Sequence, residues 1–403
     1  MTRKRSSTVN IGSEQVLPKR RYALRNQQQI DYIALNEGDD KKLKHVHPHT
    51  DAFLKCFDRY KNTTNGLTSE DFNKDFSLLN RPVKILDPEN SGMEVPKPEE
   101  LGYSDHERSL NVDDITRMLG DDYPVDVMDI QTQQNERWSM SRWNDYFSKT
   151  STQDRDRIRN VISLEVSQIQ NLRIKRPEGV EENDLVNIVW KQFGNGDPKP
   201  QVTRYVLMSA ANSYTDFHLD FAGTSVYYNL ISGNKKFILF PPTENNLKIY
   251  ANWCSNADQS LIFLGDLLED GIALDLKAGD LFMISSGYIH AVYTPEDSLI
   301  IGGNFLTIRD IEIQLQVVNL EKITKVPKRF TFPQFDSVMG KCCEWVLSHP
   351  TDEKIKTEES TTNITKKSVE ALIQFMVHAS KKYKPSKYSS KRIMLKRLHE
   401  YVQ

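Results

Sequence analysis

Cysteine is scarce in this chain of 403 residues: Cys56, Cys254, Cys342 and Cys343 are the four, and only the last two are neighbours. That spacing excludes a disulfide framework and a Cys-x2-Cys zinc signature, and it points to a reducing compartment. Long apolar runs are missing as well. None reaches the ~20 residues that a helix needs to cross a bilayer, and the first residues hold no apolar signal core, so no membrane partner is expected. An excess of one charge is also lacking, since 53 Lys and Arg face 55 Asp and Glu for a net charge of −2. A length of 403 residues leaves room for about two to three domains and a sizeable core. No internal repeat is visible.

The balanced total hides local bias. Residues 1–25 hold seven basic side chains against one acidic, clustered as Arg3-Lys4-Arg5 and Lys19-Arg20-Arg21. Residues 366–403 hold ten against two, interleaved with Tyr383, Tyr388 and Tyr401. Such clusters suit nuclear import or DNA phosphate, and equally a solvated tail or helix face. Acidic pairs stand between them, Asp113-Asp114 and Asp121-Asp122, and acidic surface near a cleft would suit a basic peptide.

The most informative residues are His218-Leu219-Asp220 and a later His290. Alternate residues of a strand point the same way, so both members of a His-x-Asp pair can reach one ion. Two neutral imidazoles and one carboxylate suit Fe(II) and leave its opposite face open for oxygen chemistry. The pair alone is a weak signal, and its ordinary reading is a satisfied core or surface pair.

The surroundings strengthen it. From Val202 to Phe305 short apolar and β-branched runs alternate with turn signals: Val202–Met208, Thr224–Ile231, a turn at Ser232-Gly233-Asn234, Lys235–Phe240, Ala273–Leu276, a turn at Lys277–Asp280, Leu281–Ile284, Ile289–Tyr293 and Ser298–Ile301. That pattern predicts an all-β sandwich or barrel over this region, and a sandwich with no ligand fits the periodicity equally. Thr215 precedes His218, and Lys235 falls on the strand after the turn. A hydroxyl and an ammonium beside an iron site would receive a buried carboxylate. That is the demand made by 2-oxoglutarate, whose keto-acid end chelates iron while its far carboxylate needs a clamp. Taken by itself, Lys235 reads as a solvated lysine after a turn.

Three stretches carry a family resemblance: Tyr214-Thr215-Asp216-Phe217-His218-Leu219-Asp220-Phe221-Ala222-Gly223-Thr224-Ser225-Val226-Tyr227-Tyr228, Ser286–Pro295, and Gly302-Gly303-Asn304-Phe305. They closely resemble the JmjC histone lysine demethylases, in particular the demethylase-one branch related to the F-box and leucine-rich-repeat lysine demethylases. Val125–Asp129 and Asn160–Glu165 extend the likeness, which covers roughly residues 100 to 335. The resemblance implies an α+β protein, a double-stranded β-helix (a cupin-like jelly roll) with helical elements at both ends. It implies His218, Asp220 and His290 as iron ligands and Thr215 and Lys235 as partners of the 2-oxoglutarate carboxylate. Asn160 and Tyr228 would line the cosubstrate pocket, and Asn304 would lie near the methyl-lysine. Ala222 stands where relatives usually carry glycine, and Tyr227 where they usually carry tryptophan, which bears on packing rather than on iron.

The implied activity is Fe(II)- and 2-oxoglutarate-dependent demethylation with dioxygen as second cosubstrate: an N-methyl group is hydroxylated and leaves as formaldehyde. The branch implies mono- and dimethylated lysine 36 of histone H3, met in nucleosomes in the nucleus. Two alternatives remain: a 2-oxoglutarate-dependent protein hydroxylase with the same iron centre, and a non-catalytic chromatin-binding module.

The organisation expected is a basic flexible arm over 1–50, a mixed helical region over 51–150, the jelly-roll core over 151–310, helical support over 311–350, a linker over 351–365 and a basic helical region over 366–403. Residues 51 to about 200 read as largely helical. Arg155–Gln170 is helix-compatible in its spacing, with a strand at Val161–Leu164 as the other reading. Ile311–Val326, Phe335–Leu347, Ser368–Ala379 and Lys391–Tyr401 read as helices. His45, His47 and His49 alternate beside Pro48 and read as a surface loop or an incidental nickel site. Trp138 and Trp143 read as a packed layer rather than a methylammonium cage, and Cys342-Cys343 as core.

Overall fold

The computed structural model describes residues 46–60, 66–104, 108–149, 155–349, 364–379 and 383–403. The basic clusters of the first 25 residues, His45 and the stretch 351–363 lie outside the described residues.

Eleven strands form one continuous hydrogen-bonded system. They are β1 (Gly66–Leu67), β2 (Val83–Ile85), β3 (Pro124–Asp129), β4 (Asn135–Ser139), β5 (Arg159–Glu165), β6 (Tyr205–Ser209), β7 (Ser213–His218), β8 (Ser225–Phe240), β9 (Ile272–Lys277), β10 (Leu281–Ile284) and β11 (Ile289–Phe305). The path runs β1-β2-β10-β8-β11-β6-β5-β3-β4, with β7 on β11 and β9 on β8. Two long strands organise it. β8 and β11 pair antiparallel almost end to end. The first part of β11 carries β7 and its second part β6, while the first part of β8 carries β10 and its second part β9. The long strands thus serve both layers of a jelly roll.

Each long strand changes layer at a kink. The register of the β8–β11 ladder shifts between Tyr293 and Ile300, opposite Gly233, whose φ is +83°. A Cβ on Gly233 would lie 2.2 Å from the Asp297 carbonyl oxygen, so only glycine fits. Ser232-Gly233-Asn234 is therefore not the hairpin turn its composition suggests. Turn residues here bend one strand, a device used for re-aiming strands at sheet corners.

The region before residue 200 is less helical than its sequence reads. β1 to β5 all lie there and extend the sheet at both edges. Arg159–Glu165 resolves as a strand between β3 and β6: its apolar residues pack on two sides of the sheet, which imitates a helical period. The helices are α1 (Thr50–Tyr60), α2 (Ser69–Lys74), α3 (Val112–Leu119), α4 (Met140–Phe147), α5 (Glu178–Asn183), α6 (Leu185–Phe193), α7 (Glu244–Ser255), α8 (Ile311–Ile323), α9 (Phe335–Ser348), α10 (Lys366–His378) and α11 (Lys391–Val402). Their starts are chemically marked: Ser139, Thr243, Thr365 and Ser390 cap α4, α7, α10 and α11, and Asn111 with Asp114 forms a reciprocal cap on α3.

The C-terminal helices bury a common core with α6, including Val338, Cys342, Cys343, Leu372, Met376, Met394 and Leu398. The Glu344 carboxylate on α9 ties the segment before α11 to it, accepting from the Tyr383 hydroxyl at 2.6 Å and from the backbone N–H groups of Ser386 and Lys387. Trp138 and Trp143 are both buried with ring centres 6.4 Å apart, a packed layer whose Trp138 ring is covered by the Arg142 guanidinium at 3.8 Å.

Candidate metal centre

β7 and β11 bring the histidines together. His218 lies directly opposite His290 in their ladder, and the two rings are 4.2 Å apart at their centres. Asp220 follows β7 by two residues, and its Oδ2 stands 3.9 Å from Nε2 of His290. The ligating atoms of His218, Asp220 and His290 all lie within 4.8 Å of one another, and they form the only such three-residue cluster among the described residues.

Both imidazoles are aimed by the same local device. Nδ1 of His218 donates to the Asp216 carbonyl at 2.8 Å, and Nδ1 of His290 donates to the Tyr288 carbonyl at 3.1 Å. A carbonyl only accepts, so each ring is fixed with its proton on Nδ1 and the Nε2 lone pair turned inward. Burial pushes the Asp220 carboxyl above its usual range, while His290 and a hydrogen bond from Asn304 pull it back. A cation between the three residues would favour the carboxylate further.

The other candidate residues lie further along β5, β7, β8 and β11. The ladder slips by one residue between His290 and Val292, so that Val292 faces Thr215 rather than the residue simple alternation demands. That bulge puts Thr215 on the same face as His218, three residues away, an offset that strict alternation forbids. Phe237 lies 6.3 Å from His290 and 5.2 Å from Tyr228 between ring centres. Burial pushes the Tyr228 hydroxyl upward, so it stays a donor at neutral pH. Val226, Phe282, Val292 and Ile300 complete the apolar wall.

Lys235 is buried on β8, two residues before Phe237. It is 3% exposed, and its ammonium donates to the Ser209 hydroxyl at 2.6 Å and the Thr294 hydroxyl at 2.7 Å. No carboxylate forms an ion pair with it among the described residues, and desolvation lowers its pKa to about 7. A buried cation held only by hydroxyls is an electrostatic demand for an anion. Asn160 sits opposite Ser209 on β5, 1% exposed, with its Oδ1 unpartnered. Asn304 donates to the Thr224 hydroxyl at 2.9 Å beside Asp220.

The structure brings His218, Asp220 and His290 together, links Tyr228 to His290 through the Phe237 ring, sets Lys235 and Asn160 against Ser209, and places Asn304 beside Asp220. Lys235 is not the solvated lysine of the ordinary reading. Ser209 and Thr294, its partners, escaped the sequence reading, although Thr294 shares the face of His290 by alternation and was open to that inference. Two other expectations are corrected. His47 and His49 are buried at 2% and 7% exposure, not on a surface loop. His47 stacks on Tyr214 at 4.5 Å, and burial beside His49 drops its pKa to about 3. Of the acidic pairs, Asp114 is interior and bound by Arg108 at 2.9 Å, Asp113 forms an exposed pair with Arg117 at 2.6 Å, and Asp121 and Asp122 stay exposed, so only Asp114 is withdrawn from the surface.

A jelly roll with two histidines and a carboxylate facing its interior, backed by helices at both ends, is the architecture expected of a JmjC protein. Comparison with known proteins makes that specific. A family model described as "JHD1, C-terminal domain" matches residues 336–401. JmjC domain-containing histone demethylation protein 1 of Kluyveromyces lactis is 55% identical over 98% of this chain and 82% of its own length. The protein of that name from Saccharomyces cerevisiae is 50% identical over 95% and 80%. The one from Candida glabrata is 49% identical over 96% and 94%. The chain belongs to the family of JmjC domain-containing histone demethylation protein 1.

Proposed function

We propose that this chain is an Fe(II)- and 2-oxoglutarate-dependent demethylase of histone lysine. The observation that carries the reading is the pairing of two features in one jelly roll: three converging metal-type ligands, and a buried, anion-demanding lysine on β8, the strand paired with the one that carries His290. The substrate proposed is mono- and dimethylated lysine 36 of histone H3, in nucleosomes and in the nucleus. The relatives' name supports a histone substrate, and the lysine assignment follows the branch resemblance.

The donor set fits the ion. Two imidazoles protonated on Nδ1 and one carboxylate suit Fe(II), and His218, Asp220 and His290 would hold it. When bound, iron with 2-oxoglutarate activates dioxygen for hydroxylation of an N-methyl group. The rest is the work of the chain. Asp216 and Tyr288 carbonyls keep both rings in the ligating tautomer. Lys235, with Ser209, Thr294 and Thr215, takes the distal carboxylate of the cosubstrate. Tyr228 donates a further hydrogen bond, and the Asn160 amide borders the same end. Phe237, Phe282 and Val292 keep water from the space between. Asn304 orients Asp220 where the methylated side chain would enter. The hydroxymethyl amine that results collapses to formaldehyde and the shortened amine without help from the metal.

His218→Ala tests the reading. The expected result is a folded protein whose formaldehyde release from methylated histone peptide falls by at least ~10³-fold, since an incomplete ligand set no longer holds the ion. Wild-type turnover by this variant would remove the metal assignment.

A further inference from the structure

The turn that carries Asp220 is held by a residue outside the cavity. After Asp220 the chain makes a tight turn at Phe221–Gly223 in which Ala222 adopts φ 52° and ψ 23°. That left-handed conformation is one that side chains with a Cβ avoid, and Ala222 is fully buried against the C-terminal helical core. Its N–H points into the protein, while the Asp220 carbonyl is taken by Gly223 N–H at 3.0 Å. Glu321, in the last turn of α8, supplies the missing acceptor: its Oε1 receives the Ala222 N–H at 2.7 Å. Glu321 is 9% exposed, and no basic side chain forms an ion pair with it among the described residues. A carboxylate kept so far from water without a cation is costly, and its one hydrogen bond is to this turn. The turn is also tied on its other side, where the Ser286 hydroxyl donates to the Gly223 carbonyl. Ser286 lies in the loop that enters β11 four residues before His290.

We propose that Glu321 is a positioning residue for the metal ligand Asp220, acting through the backbone N–H of Ala222. The inference rests on the metal-site reading above and adds to it a dependence on a side chain that touches neither metal nor substrate. Glu321 fixes the peptide plane between Phe221 and Ala222, and with it the direction in which the chain leaves Asp220. Without the acceptor, the left-handed alanine keeps only the ties at Gly223, and its own N–H is left buried without a partner. The turn relaxes, and the Asp220 carboxylate moves out of register with the two histidines.

The test is titration of the full chain with Co(II), read by its visible absorption, in the wild type and three variants. Glu321→Met keeps the volume and removes the acceptor; about 10–100-fold weaker Co(II) binding and an altered absorption band are expected, as for lost outer-shell support. Glu321→Gln keeps an acceptor and is expected to stay within about threefold of wild type. Ala222→Gly combined with Glu321→Met is expected to recover most of the affinity, because glycine holds the left-handed turn unaided. Unchanged Co(II) affinity and spectrum in a folded E321M protein would overturn the proposal. A second measurement needs no substitution: the Ala222 amide in the metal-free wild type is expected to exchange slowly with deuterium, and exchange at the rate of an open amide would overturn it equally. Failure of the wild type to bind Co(II) would instead strike the metal-site reading itself.

Discussion

Among single residues, Lys235 has the clearest consequence for solution behaviour. Burial holds its pKa near about 7 in the free protein, against an ordinary 10.5. Between those values the unfolded chain binds a proton that the folded chain does not, so folding stability rises with pH from about 7 to about 10.5. Below about 7 both states are protonated and the burial cost is carried in full. A dicarboxylate bound at Lys235 favours the ammonium and reverses the balance. Binding of 2-oxoglutarate to the Mn(II)-loaded protein near pH 8 is therefore expected to take up a proton and to weaken as pH rises further. Calorimetry in two buffers of different ionisation heat measures that uptake. Lys235→Met should abolish it and weaken binding by about tenfold or more, since a charged hydrogen-bonding partner is worth roughly 1.5–3 kcal/mol. Proton-independent binding in the wild type would show that the anion lies elsewhere. The ligands and Lys235 were legible in the sequence because their chemistry has few other uses in such company. Glu321 and Ser209 were not, because each acts through a fold contact that spacing alone does not reveal, whereas Thr294 lay within reach by its alternation with His290.

At the level of elements, the site depends on irregularities that propensity reads poorly. A bulge in β7 puts Thr215 on the face of His218, and a bend at Gly233 lets β8 carry Tyr228 and Lys235 in two layers of the jelly roll. Composition marked Gly233 correctly as a special backbone position but could not distinguish a strand bend from a hairpin. Gly303 is a sharper case: a Cβ there would lie 2.0 Å from the Thr203 carbonyl oxygen, and backbone cannot yield as a side chain can. Gly303→Ala is expected to cost at least ~2 kcal/mol, seen as a lower denaturant midpoint. An unshifted midpoint would mean that β11 and the Thr203 segment approach less closely than described. Departures from the family pattern also find their reasons here. Ala222 occupies a left-handed position, which explains why glycine is usual there. Tyr227 is buried on the outer side of the sheet, its hydroxyl donating to the Thr203 carbonyl at 2.7 Å, so the change from tryptophan alters packing away from the cavity. The helices after residue 310 were read nearly to their ends because their apolar spacing is regular, and in α10 and α11 the caps Thr365 and Ser390 agree with it. The N-terminal strands were missed because short edge strands among charged loops carry little periodic signal.

For the molecule as a whole, the jelly roll brings the three candidate ligands together and the C-terminal helices meet the turn after Asp220 through α8. Lys366, Lys384 and Arg392 remain exposed on or beside α10 and α11, which supports the proposal that this end meets DNA when the substrate is a nucleosome. If so, affinity for nucleosomes should fall steeply with salt, and replacing those three cations by glutamine should reduce the slope of log affinity against log salt by about two to three. An unaltered slope would confine the basic region to solubility and packing.

The central claim is that one cavity joins an iron site to a 2-oxoglutarate site and turns them on methylated histone lysine. Mass spectrometry of H3-tail peptides bearing one, two or three methyl groups at lysine 36 tests it most directly, after incubation with Fe(II), ascorbate and 2-oxoglutarate. Loss of methyl mass from the mono- and dimethylated peptides, with formaldehyde released and no loss when 2-oxoglutarate is withheld, is the expected result. Gain of one oxygen without loss of methyl would contradict it in favour of a hydroxylase. An unchanged peptide in the presence of bound 2-oxoglutarate would leave a chromatin-binding module in its place.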